Sequence, residues 1–262
     1  MPSLFDEPGF EAWATPAPVA GSDALLADLN EPQRLAVTHA GPALLIVAGA
    51  GSGKTRVLTR RVAYLLAERG VMPSEVLAIT FTNKAAGEMR NRVEELVGPR
   101  ARTMLVSTFH SACVRFLRRD AERLGYSSTF SIYDQGDATS LVKMVMSALS
   151  IDTERLTPRS VLSAISNAKN ELLDVEAFAA TAASPFERQV VDVYREYQMR
   201  LRAANAMDFD DLIMNTVLLL QKFPEVRDAY HRRFRHVLVD EYQDTNHAEF
   251  GRRKRSATCA DE

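Results

Sequence analysis

Apolar positions along the chain follow two periods, and the switch between them divides it. Four short runs are dominated by apolar residues: 43–48 (ALLIVA), 76–81 (VLAITF), 104–108 (MLVST) and 236–240 (HVLVD). Runs of this length and composition predict strands buried on both faces of a parallel sheet. Between them the spacing changes to three and four. Val57, Leu58, Val62, Leu65 and Leu66 share one face after the first run. Ala85, Ala86, Met89, Val93, Leu96 and Val97 share one after the second. These are amphipathic helices. Strand–helix–strand alternation predicts parallel βαβ units with right-handed crossovers, an α/β fold.

From 114 to 206 the strand signal nearly vanishes. Helices are predicted at about 134–150, 159–171 and 184–204, with another at 208–222. Thr157-Pro158 reads as an N-cap with proline in the first turn, and Ser184 and Glu187 have capping-box spacing. A helical block between two strands of one sheet predicts an inserted, mostly helical subdomain. Residues 1–21 hold four prolines and no period, which reads as a disordered leader. Residues 251–262 (GRRKRSATCADE) have no apolar period and read as a tail without a fold.

Composition narrows the class. At 46% hydrophobic and 25% charged, the 262 residues can build a real core. A formal net charge of −2 excludes a wholly basic nucleic-acid coat but permits a local basic stripe. Cys113 and Cys259 have no metal or disulfide spacing and fit a reducing cytosol. No apolar run approaches the ~20 residues that span a bilayer, and the acidic start lacks the features of a signal peptide. The chain is read as cytoplasmic, with no membrane partner.

The chemistry begins at 48–55, AGAGSGKT, directly between a predicted buried strand and an amphipathic helix. That context makes it a phosphate loop. Gly49, Gly51 and Gly53 give the backbone positive φ and let N–H groups approach phosphate oxygens with no Cβ between. Ala48 stands where the strict pattern has glycine; Ala50 and Ser52 complete the loop. Lys54 supplies a point charge for β- and γ-phosphates, and the Thr55 hydroxyl is placed for Mg²⁺. At the end of the last strand, Asp240 can hold Mg²⁺ through water and Glu241 can polarise an attacking water. The expected cofactors are ATP and Mg²⁺.

LNEPQRLAV (29–37), AGAGSGKTRVLTRR (48–61), ITFTNKAAGEMRNR (79–92), VSTFHS (106–111), DFDDL (208–212) and VDEYQDTN (239–246) occur in that order. With them the chain resembles the front end of UvrD/Rep/PcrA-type superfamily 1 DNA helicases, most closely an actinobacterial member, over roughly 25–250. The resemblance implies a RecA-like P-loop NTPase domain at 22–113 and 207–250, with the helical insert at 114–206. It implies that Gln33 reads the adenine edge, Arg56 packs on the adenine face and Gln243 senses the γ-phosphate. It also implies that single-stranded DNA, and junctions of single and double strand, meet Thr80, Phe81, Thr82, Asn83, Thr108, Phe109, His110 and Ser111. The aromatic residues of that set could stack on bases or pack in the core. Lys169 is read as a solvated lysine, with a duplex contact as the alternative. Arg115, Arg118, Arg119 and Arg123 cover one helical face, and 227–236 is also arginine-rich. Each is a wet face or, in this family, a path for DNA.

Two departures from the family pattern matter. Gly87 sits inside a predicted helix, at a cost of about 1 kcal/mol. After Phe250 the family continues with a helix, a further strand and a second RecA-like domain. The further strand belongs between those at 43–48 and 236–240. The chain is therefore expected to have a gap in its sheet and to show poor stability, local disorder near 236–250, or aggregation. It is read as the front piece of a 3′→5′ repair helicase, left by a frameshift, a truncated gene or incomplete assembly. The alternatives are a non-unwinding ATP- or DNA-binding module and an unrelated P-loop kinase.

Overall fold

The computed structural model describes residues 22–41, 43–49, 51–154 and 156–242. In chain order its helices and strands are α1 (Ser22–Leu26), α2 (Glu31–Thr38), α3 (Lys54–Ala67), β1 (Val76–Thr80), α4 (Asn83–Val97), β2 (Leu105–Thr108), α5 (Phe109–Asp120), β3 (Ser131–Tyr133), α6 (Gln135–Ala148), α7 (Pro158–Asn170), α8 (Val175–Thr181), α9 (Pro185–Ala203), β4 (Ala206–Asp208), α10 (Phe209–Lys222), α11 (Pro224–Arg233) and β5 (His236–Val239). They form two compact units. Among the described residues, the first unit takes those up to 78 together with 84–106 and 236–240; the second takes 79–83, 107–235 and 241–242.

Strands β2, β1 and β5 form a three-stranded sheet in that order. All five residues of β1 are buried, as its unbroken apolar run predicts. The core of the first unit gathers Val62, Ala63 and Leu66 from α3, Met89, Val93 and Val97 from α4, Val76 and Ala78 from β1, and Leu25 from α1. Gly87 is tolerated because a Cβ there would meet nothing within 4 Å.

The run at 43–48 departs from its expectation of a buried strand. Its backbone joins no sheet, and Leu44, Leu45, Ile46 and Val47 are exposed, Val47 to 87%. A strand is stabilised by ladder bonds to a neighbour, and no strand among the described residues pairs with this one. The strand at 236–240 does form, as β5. The remainder of 243–250, the leader and the 251–262 tail lie outside the described residues.

The second unit is mostly helical. Helices α6, α7, α9 and α10 lie where the sequence placed them, and the predicted side-chain caps of Thr157 and Ser184 start α7 and α9. The patterning missed α8, α11 and a short parallel ladder of β3 with β4, which pairs Ser131 with Ala206 and Tyr133 with Asp208. At three residues per strand, these pieces are too short to show a period. Leu141, Val142 and Val145 of α6, Val161 and Ile165 of α7, and Val190, Val193, Tyr194 and Tyr197 of α9 form the core.

Lys169 corrects both of its readings, because it is neither solvated nor on a surface. It is 1% exposed, and its Nζ lies 2.7 Å from Asp208 Oδ2 and 2.8 Å from Asp211 Oδ1. Tyr197 donates its hydroxyl to Asp208 Oδ2 at 2.8 Å, and Gln198 Nε2 donates to Asp211 at 3.2 Å. Burial disfavours the ammonium, but the Asp211 and Asp208 carboxylates outweigh it and raise the Lys169 pKa. Burial pushes Asp211 up to about 6 against the pull of Lys169. Asp208 and Asp211 also close a capping box on α10. One pair of carboxylates thus starts a helix and neutralises a core lysine.

Candidate nucleotide and DNA sites

The glycine loop leaves 43–49 and enters α3. Gly51 and Gly53 hold φ of +75° and +84°, a region costly for any residue with a Cβ. Gly53 is the N-cap of α3, and no side chain caps that end, so its first N–H groups stay available to an anion. A Cβ at Gly49 or Gly51 would meet nothing within 4 Å; one at Gly53 would stand 3.2 Å from Gln33 Nε2.

The loop side chains are engaged with the loop itself. Ser52 donates its hydroxyl to the Gly49 carbonyl at 2.7 Å. Lys54 Nζ donates to the carbonyls of Ala48 at 3.1 Å and Gly49 at 3.3 Å. The Thr55 hydroxyl donates to Asp240 Oδ2 at 3.3 Å, across 185 residues of sequence. Sequence reasoning gave this hydroxyl and this carboxylate to one metal, and folding brings them together. Glu241, next in the chain, holds a left-handed φ of +49°, unusual for a residue with a Cβ and costing about 1–2 kcal/mol.

Gln33 and Arg56 both contact their surroundings in ways the sequence did not foresee. The Gln33 side chain accepts from Asn30 N–H at 3.1 Å within the α2 capping box and donates Nε2 to the Ser52 carbonyl at 3.0 Å. It ties the start of α2 to the loop. Arg56 donates to the Asp28 carbonyl at 3.0 Å, with the Asp28 carboxylate at 3.8 Å. Neither Asn30 nor Asp28 was singled out from the sequence. Ala50 and Gln243 lie outside the described residues.

The residues suggested for DNA all belong to the second unit. Phe81 is 65% exposed and free to stack, and Thr82 and Asn83 are exposed beside it. Thr80 is 1% exposed and its hydroxyl donates to the Thr82 carbonyl at 3.0 Å. Thr108 caps α5 and donates its hydroxyl to Ser111 Oγ at 2.9 Å. Phe109 and His110 are half-buried, and His110 meets the edge of Phe209 at 5.7 Å. Phe209 belongs to the DFDDL stretch, which sequence reasoning left without a role.

A glycine loop entering a helix, on an α/β fold with a parallel sheet, is the architecture of a RecA-like P-loop domain. The sequence profile of the UvrD/REP helicase N-terminal domain matches residues 29–252, and the chain belongs to that family. It is 58% identical over 241 residues to the ATP-dependent DNA helicase UvrD1 of Mycobacterium tuberculosis (strain ATCC 25618 / H37Rv), covering 90% of this chain and 31% of that one. It is 50% identical over 229 residues to the ATP-dependent DNA helicase PcrA of Bacillus subtilis (strain 168), covering 87% and 31%. The chain thus spans about a third of the length of the relatives it matches. Among the described residues no helix is long and apolar enough to cross a membrane.

Proposed function

We propose that this chain is the ATP- and DNA-engaging N-terminal part of a 3′→5′ DNA translocase and helicase of DNA repair, acting in the cytoplasm. The observation that carries the reading is the Thr55–Asp240 pair at 3.3 Å, with the Lys54 ammonium held on the loop carbonyls of Ala48 and Gly49. A hydroxyl and a carboxylate are hard oxygen donors of the kind Mg²⁺ takes when it also binds nucleotide phosphates. The open space beside Gly49 and Gly51 suits a close phosphate approach.

In this reading Thr55 and Asp240 would hold Mg²⁺, which would supply positive charge to the phosphates. Gly49, Ala50, Gly51, Ser52 and Gly53 offer backbone N–H groups. Lys54 exchanges its two loop carbonyls for phosphate oxygens, so the ammonium is already in place. Glu241 orients the attacking water, with Gln243 reporting the γ-phosphate. Gln33 and Arg56 face the base after exchanging their present partners. Phe81 stacks on a base of single-stranded DNA, while Thr82, Asn83, Thr108 and Ser111 bond its backbone. Turnover and stepping call for a second RecA-like domain to complete the ATP cleft, so the 262-residue chain binds without unwinding.

The test is calorimetric titration of this chain with Mg·ATP, beside a strand-separation assay. Saturable binding is expected, weakened at least ~10-fold in Lys54→Ala, a loss of about 1.4 kcal/mol. Unwinding is expected to be undetectable. Equal affinity in the variant would remove the phosphate-loop assignment, and robust unwinding would remove the requirement for a second domain.

A further inference from the structure

We propose that the outward face of α5, with the end of α11, is a phosphate-backbone site that holds nucleic acid beyond the strand-end contacts. The inference rests on the reading that this chain engages DNA. Ser111, Arg115 and Arg119 recur at i, i+4 and i+8 on α5 and are exposed. At 1.5 Å per residue they run ~12 Å along the helix. Helix α11 packs here through Phe116, Tyr230 and Phe234, with ring centroids 4.5 Å and 5.9 Å from that of Phe116. Arg119 lies over the Tyr230 ring at 5.7 Å and Arg233 over the Phe234 ring at 5.1 Å. The aromatic seam thus supports two guanidinium groups from different helices.

The basic run read from the sequence divides in the fold. Arg118 donates to the Ser128 carbonyl at 2.7 Å and sits 3.8 Å over Phe130, so it is structural. Arg123 pairs with Glu225 and Asp120. Arg115, Arg119 and Arg233 remain. Arg115 and Arg233 have no carboxylate partner among the described residues, and Arg119 has only Asp120 at 3.8 Å. Burial, then the charges of Arg115 and Arg119, lower the Arg233 pKa, which places the three in mutual repulsion. Three crowded guanidinium groups, of which only Arg119 has a carboxylate nearby, are stabilised by an arriving polyanion, and their planar donor forks match phosphate oxygens. Nucleic acid is favoured over an acidic protein because the first turn of α5 already carries His110 and Ser111 of the suggested DNA set.

The test is fluorescence anisotropy of the 262-residue chain with a labelled oligothymidylate over a salt series. Arg115→Gln/Arg233→Gln should weaken binding and reduce the slope of log K against log salt by ~1.4, at ~0.7 per lost single-strand contact. Arg115→Lys/Arg233→Lys should keep the slope. Mg·ATP affinity should not change. If the double glutamine variant melts early, Arg115→Gln alone, on an exposed position, should reduce the slope by ~0.7. An unchanged slope in a folded variant overturns this site and leaves the strand-end contacts standing. No binding by the unaltered chain overturns the DNA reading and this site with it.

Discussion

Replacing Lys169 by methionine should be among the most destabilising single changes in the helical unit. The substitution keeps much of the volume and removes the charge. Asp208 and Asp211 then remain buried at 5% and 2% exposure with no cation between them. Breaking a buried ion pair from one side costs about 3–5 kcal/mol. With a urea m-value of ~2–3 kcal/mol/M, the midpoint should fall by roughly 1–2.5 M. Circular dichroism of the helices measures this directly. The loss should also depend on pH. Asp211 already has its pKa pushed up to about 6 by burial, from an ordinary value of 3.8. Its contribution to stability is therefore fully present below 3.8 and is lost as pH rises through 6. Removing Lys169 raises it further, so the penalty should be largest at pH 7 and shrink toward pH 4 as Asp211 protonates. Adding Asp208→Asn and Asp211→Asn, which keep the caps, should recover most of the loss at pH 7. A loss below ~1 kcal/mol, or one equal at both pH values, would refute the argument.

Gly53→Ala should lower stability by about 1–2 kcal/mol, since left-handed backbone is costly for alanine, and should weaken nucleotide binding; a thermal melt and an ATP titration check both. Asp240→Asn should leave metal-free nucleotide affinity close to that of the unaltered chain while reducing the gain from Mg²⁺, seen by titrating with and without EDTA. Phe81→Ala should weaken single-strand binding by about 1–3 kcal/mol with little change in melting, because the ring is exposed. Phe109→Ala should instead lower the melting temperature, because that side chain is half-buried.

The sequence displayed most of this architecture because its signals are local. The apolar run at 76–81 became β1, buried over Val76–Thr80 with Phe81 left exposed beyond it, and Ser184 with Glu187 marked the start of α9 to the residue. The loop was legible because glycine spacing and the adjoining helix are contiguous. What stayed hidden depends on distant residues meeting. Lys169 reads as an ordinary helix lysine until Asp208, 39 positions away, arrives at 2.7 Å. Arg115, Arg118, Arg119 and Arg123 look equivalent in a helical projection; only Phe130, Glu225 and α11 separate them. The failure at 43–48 has the same origin, since an apolar run states what it would bury and not which strand it pairs with.

That exposed run also governs how the chain behaves in a crowded solution. Leu44, Leu45, Ile46 and Val47 carry no charge and no proline, are exposed, and join no strand ladder among the described residues. Such a segment can pair with its own copy in another molecule and stack into a dry zipper. Soluble yield should therefore fall with concentration faster than first order, and the pelleted material should bind amyloid dyes. A lysine at position 45 or 47 would act as a gatekeeper and keep the chain in solution without touching the adjoining glycine loop.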